Sequence, residues 1–144
     1  MKHSSVKLHH ATWQDDSEMI YAVRKIVFVE EQGISEELDF DGLDPDCWHV
    51  VAYASQSEPI GTARMQKDGH IGRIAVLEDW RRKGVGTCLL QSLLRMASGK
   101  GILKVYLHAQ VQAVFFYEKL GFKKEGDIFI EADIQHQKMV KIIA

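Results

Sequence analysis

The run GRIAVLEDWRRKGVGTCLLQSLL, residues 72–94, constrains the chain more than any other stretch. An apolar, strand-like segment ends in three consecutive cations and two glycines one residue apart. Val85, Cys88, Leu89, Ser92, Leu93, Met96 and Ala97 then recur at helical spacing. A strand, a glycine turn and a helix in that order make an anion site. The first N–H groups of a helix lack internal partners, and the helix dipole adds partial positive charge. Gly84 and Gly86 let the backbone approach a bound group, and Arg81, Arg82 and Lys83 add formal charge. The combination suits a pyrophosphate. A Walker loop needs Lys and Ser/Thr after its last glycine, whereas Gly86 is followed by Thr87 and Cys88. A dinucleotide fingerprint needs a third glycine where Leu89 stands. A glycine-rich helix start with solvated surface charges is the plainer reading of the same residues.

The rest of the chain supplies alternating elements. VKLHHA reads as a strand, and SEMIYAVRKIVFVEEQ as a helix with Asp15, Asp16 and Ser17 as capping candidates. GISEELDFDGLDPD reads as a loop. WHVVAYA and IGTARMQK form a hairpin, and Asp68-Gly69 turns into the strand HIGRIAVL. After the glycine-led helix come a central strand, ILKVYLHA, and a short helix, QAVFFYEKLGF, closed by Gly121. FIEADIQHQKMVKII has strand-like ends around a polar middle. This order predicts an α/β (α+β) fold with a mixed sheet rather than a doubly wound parallel one. No repeat or linker divides the 144 residues, so one domain over 1–144 is expected.

Composition narrows the function. No apolar stretch approaches the roughly 20 residues of a membrane span, and MKHSSVKLHH carries no apolar signal region, so a cytoplasmic protein off the membrane is expected. The net charge of −2 and the lack of a basic helix argue against a nucleic-acid partner. Cys47 and Cys88 have no metal-like spacing and are expected as buried or partly buried thiols; no metal is expected. From Glu30 to Asp46 there are eight acids and no Lys or Arg. Such a run is either a solvated surface or a field that draws a cationic ligand.

RRKGVG matches the R/Q-x-x-G-x-G/A signature of the Gcn5-related N-acetyltransferases (GNAT), with Arg81, Gly84 and Gly86 at its defining positions. HAQVQAVFFYEKLGF resembles that superfamily's block N-x-x-A-x-x-F-Y-E-K-x-G-F through Ala113, Phe116, Tyr117, Glu118, Lys119, Gly121 and Phe122, with Gln110 where asparagine is usual. The front half, VRKIVFVEEQGISEELDFDGLD, and EADIQHQKM near the end are similar to the ElaA/YjcF-like branch, so nearly the whole chain is covered.

The resemblance implies a GNAT fold: a mostly antiparallel sheet with a V-shaped splay between its fourth and fifth strands, flanked by about four helices. It implies acetyl-CoA as co-substrate, its pantetheine arm on the main chain of Ile74, Ala75 and Val76. The pyrophosphate would meet Arg81, Arg82, Lys83, Gly84, Val85, Gly86 and Thr87, with Gln110 a further contact. It implies transfer of acetyl to a primary amine, small-molecule or protein lysine, by direct attack on the thioester. The backbone N–H of Val76 is the candidate oxyanion donor. Tyr117 falls on the family's proton donor; without the motif, an aromatic beside Phe115 and Phe116 would read as core. A free thiol has a pKa near about 8.5, so a donated proton helps CoA depart at neutral pH. Glu30, Glu31, His49, His108 and His136 are base candidates, Glu30 and His108 foremost; a water relay is the other route. On this reading the acidic run steers a cationic amine, and neutralising Glu30, Glu31 and Asp39 would raise the acceptor KM. A homodimer is expected from the habits of the family. Two rivals share the fold. A non-catalytic acyl-CoA sensor would have no need of Tyr117. An aminosugar-phosphate acetyltransferase, to which ADIQHQKM gives a link, would need a basic acceptor pocket where this chain is acidic.

Overall fold

The computed structural model describes residues 6–55 and 57–143. Its elements in chain order are β1 (Lys7–Ala11), α1 (Trp13–Arg24), a π-helical continuation (Lys25–Glu31) and a single turn, α2 (Glu36–Asp39). Then come β2 (Trp48–Ser55), β3 (Glu58–Met65), β4 (His70–Val76), α3 (Val85–Gly99), β5 (Lys104–Gln110) and α4 (Val114–Lys119), followed by β6 (Lys123–Lys124), β7 (Phe129–Glu131) and β8 (Ile134–Ile142). The strands form one sheet in the order β1-β2-β3-β4-β5-β8-β6, with β7 also on β8. All pairings are antiparallel except β4 with β5, which is parallel. The expected mixed, mostly antiparallel sheet is therefore present.

Period-two alternation assigns each strand residue to one of two layers. On β2, Val50 and Ala52 join Leu89, Leu90 and Leu93 of α3 in the main core, while Val51 packs with Ile20 of α1 on the opposite face. On β5, Val105, Leu107 and Ala109 point into the core, leaving Tyr106, His108 and Gln110 on the other face.

Three local expectations change. α1 starts two residues before its expected caps, because the Thr12 side chain accepts the Asp15 N–H; Asp15 and Asp16 then sit in the first turn, where the dipole favours acids. The loop expected over 33–46 contains α2, capped by Ser35, and a tight turn at Asp44–Asp46. Cys88 is exposed and Leu90 takes the buried place beside Leu89; Cys47 is half-buried as expected.

Candidate active site

β4 and β5 pair only at His70–Tyr106 and Ile71–Leu107, and then part. The cause lies in β4. Thr62 pairs with Ala75 and Arg64 with Gly72, so Arg73 and Ile74 together oppose Ala63 in a bulge, and Arg73 has φ 51°. A bulge bends its strand and increases local twist, here carrying the end of β4 away from β5. Beyond the bulge, the Leu77 N–H donates to the Ile60 carbonyl. Ladder alternation then turns the main chain of Ala75 toward β3 and that of Val76 toward the gap. Ala75 thus differs from expectation: its peptide groups serve the sheet, and its methyl packs with Val23, Val27 and Phe28.

The gap opens into a cavity of about 460 Å³, lined among others by Phe28, Ile34, Arg73, Ile74, His108 and Tyr117. The start of α3 lies beside the end of β4. Gly84 has φ 84° and no side chain caps the helix, leaving the N–H groups of Val85, Gly86 and Thr87 at an open first turn. The Val85 side chain is buried, so only its backbone is presented there. A Cβ built on Gly86 would lie 3.8 Å from Phe116 Cζ and 3.9 Å from Val76 Cγ2. The helix start, the gap-facing strand end and α4 are therefore contiguous.

The three cations of the turn diverge. Arg81 Nε donates to the Val76 carbonyl (2.8 Å), and its Nη2 pairs with Glu31 (2.6 Å). Arg81 ties the end of the π-helical segment to the end of β4. Lys83 lies over the Trp80 ring at 5.5 Å. Arg82 forms no side-chain hydrogen bond or ion pair with the described residues. Gln110 also departs from expectation: its amide donates to Gln32 (2.8 Å) and accepts from Gln112 (2.7 Å), bridging β5 to the same segment.

Tyr117 is half-buried, with Phe116 and Phe122 packed edge-on at 5.0 and 5.9 Å. Its hydroxyl has no hydrogen-bond partner among the described residues, and burial pushes the phenol up to about 12. It remains a neutral acid across the physiological range. Among the base candidates, His108 and His136 line the cavity. His49 does not: it is buried under the acidic loop, Nε2 donating to the Asp44 carbonyl at 2.9 Å. Glu30 is exposed and outside the lining, and Glu31 is taken by Arg81, so neither reaches the cavity.

The acidic run is not a free field. Arg24, wholly buried, holds Asp39 through Nε (3.1 Å) and Asp44 through Nη1 (2.7 Å). Arg64 holds Asp41 (2.6 Å) and Asp44 (2.8 Å), and Arg73 holds Asp39 (3.1 Å) and Asp41 (3.2 Å). Three carboxylates thus meet three guanidiniums. Burial works to raise the Asp41 carboxyl, but hydrogen bonds from Arg64 and the Leu43 N–H prevail and hold it at about 2. Burial wins at Asp39 and pushes it up against the pull of Arg24 and Arg73. Asp39, Asp41 and Arg73 all line the cavity. Sequence reasoning passed over Arg73, although a glycine inside a strand, Gly72, is a signal for a bulge.

Residues 26–143 match the family model of the acetyltransferase (GNAT) domain. The chain belongs to the GNAT acetyltransferase family. This GNAT enzyme is 43% identical over 136 residues to the Bacillus subtilis (strain 168) protein BSU40680, covering 90% of this chain and 92% of the relative. It is 37% identical over 125 residues to the N-acetyltransferase YjcF of the same organism, covering 84% and 89%. The crystal structure of Escherichia coli ElaA superimposes with a TM-score of 0.84 at 28% identity, over 94% of this chain and 99% of that one. The resemblance to the ElaA/YjcF-like branch holds, and the GNAT enzyme is an acyltransferase.

Proposed function

We propose that this GNAT enzyme transfers acetyl from acetyl-CoA to the nitrogen of a primary amine by direct attack on the thioester. The observation that carries the reading is one contiguous path: an uncapped helix start behind a left-handed glycine, a strand end whose peptide groups face an open gap, and an unpartnered tyrosine hydroxyl. The donor set suits the co-substrate. The N–H groups of Val85, Gly86 and Thr87, with Arg82 nearby, match a pyrophosphate in kind. The gap-facing main chain of Ile74 and the Val76 N–H match the amides of a pantetheine arm, the Val76 carbonyl being held by Arg81.

Each group then has one task. The Val76 N–H donates to the carbonyl oxygen as it gains charge. His108 accepts a proton from the incoming ammonium, so that nitrogen can attack carbon. Tyr117 donates to the departing sulfur. The balanced aspartates and arginines leave the acceptor end without a surplus of positive charge, which disfavours an aminosugar-phosphate. The cavity has room for a small amine, which we favour over protein lysine. A thiol-release assay with acetyl-CoA across an amine panel, with mass detection of the product, tests the reading. Thiol release paired with an acetylated amine is the expected result; well-folded protein that neither binds nor turns over acetyl-CoA would overturn it.

A further inference from the structure

The β7–β8 turn contributes to the cavity lining. Glu131 pairs with Ile134, and the two residues between them, Ala132 and Asp133, both have positive φ (53° and 61°). A two-residue turn of this kind ordinarily takes Asn-Gly; alanine in the left-handed region is sterically disfavoured. Glu131 and Ala132 line the cavity, so the disfavoured backbone sits at the site itself.

The turn brings Glu131 Oε1 to 3.4 Å from His108 Nδ1 and 4.0 Å from His136 Nε2. His136 Nδ1 lies 2.7 Å from the Ile134 carbonyl, which can only accept, so that nitrogen carries a proton, and whenever the ring carries only that one its Nε2 turns a lone pair toward Glu131. Of the two imidazole nitrogens near the Glu131 carboxylate, His108 Nδ1 is the closer, and it is the one placed to turn an N–H toward it. That leaves His108 Nε2 as the lone-pair nitrogen, with no hydrogen bond among the described residues, on a ring that lines the cavity. Phe129, two residues before Glu131, meets the His108 ring edge-on at 5.0 Å and limits its rotation.

A second imidazole, His70, lies 4.7 Å from His108 and stacks on Tyr106 at 4.5 Å. Its Nδ1 faces the Gln66 amide at 3.2 Å. Burial, then the neighbouring His108, lower it to about 4, so it is neutral across the physiological range. The titratable groups facing His108 are His70 on β4, Tyr106 on β5, Glu131 on β7, and His136 and Lys138 on β8. Lys138 is turned to Glu125 at 3.1 Å. Asp39, Asp41 and Arg73 line the same cavity as an ion-paired group.

We propose that Glu131 is a positioning residue for acetyl transfer: held by the disfavoured Ala132-Asp133 turn, it fixes His108 with Nδ1 protonated and Nε2 open to the acceptor nitrogen. This rests on the function proposed above. The ammonium gives one proton to His108 Nε2, forming an imidazolium opposite the Glu131 carboxylate. The freed amine forms the C–N bond as the C–S bond breaks. The second nitrogen-bound proton replaces the one Tyr117 gives to sulfur, and His108 returns its proton to solvent.

The test uses the full chain with the amine found in the panel, together with NMR of the histidine ring nitrogens, which needs no turnover. Wild-type His108 is expected to show Nδ1 protonated and Nε2 bare. Glu131→Gln is expected to mix the two tautomers, shift the acid limb of kcat/KM to lower pH, and reduce kcat about tenfold. Acetyl-CoA affinity is expected to be unchanged. His108→Gln is expected to abolish that limb and reduce kcat about 100-fold. Unchanged His108 ring signals and an unmoved acid limb in Glu131→Gln would overturn the proposal, as would an acid limb that survives His108→Gln. A protein that acetylates no amine yet shows the Glu131-dependent tautomer would sink the proposed function and leave the pairing standing.

Discussion

Tyr117 and Gly84 carry the sharpest demands on single side chains. Tyr117→Phe removes one hydroxyl and leaves the aromatic packing on Phe116 and Phe122 in place. It is expected to lower kcat about 100-fold while the acetyl-CoA Kd stays within about twofold; calorimetry beside steady-state kinetics separates the two. At the helix start, Gly84 has φ 84°, so an alanine there is strained by roughly 1 kcal/mol and re-aims the first turn. Gly86 has ordinary contact distances around a Cβ. Gly84→Ala is expected to weaken acetyl-CoA binding severalfold and Gly86→Ala to leave it nearly unchanged. Equal losses in calorimetric Kd would refute the assignment of that turn.

At the scale of elements, the acidic loop is a clamp. α1 supplies Arg24, β3 Arg64 and β4 Arg73, and the loop returns Asp39, Asp41 and Asp44. The clamp holds the loop against the bulge of β4 and so shapes one wall of the cavity. Removing one partner of a buried pair strands the rest, at a cost of about 3 kcal/mol. Asp44→Asn leaves Arg24 and Arg64 short of an anion and is expected to destabilise by that amount in urea melts. Asp39→Asn is expected to register the same way, as lost stability. A purely kinetic effect on the acceptor KM at unchanged stability would restore the steering role that the charge pattern suggested.

At the scale of the whole molecule, stability responds to acid through His49 and His70. In the unfolded chain His70 takes up a proton near pH 6.5; in the folded one it does so only at about 4. Between those values protons favour unfolding, so the stabilisation is full above about pH 6.5 and is lost as pH falls toward 4. The ceiling for this one group is about 3 kcal/mol. His49 shifts in the same direction, chiefly through burial, and adds to the loss. Melts from pH 7.5 to 4.5 are expected to show a steady fall in stability, shallower in His70→Gln. A flat profile would contradict the downward shift of both rings.

Much was legible before any coordinates: the order of strands and helices, the glycine-led α3, the Tyr117 block and the family. These are local, because periodicity, turn residues and helix starts are set by neighbours in the chain. Tertiary contact decided the rest. That Arg81 pairs with Glu31, and that Asp39 faces Arg24 rather than solvent, depends on residues 15 to 50 positions away. Glu131 meets His108 across 23 positions, and only because a two-residue turn folds β7 onto β8 beside β5. Side-chain type limits what a residue can do. Its partner is chosen by which strands pair and which faces close on one another, and that is a property of the packed chain.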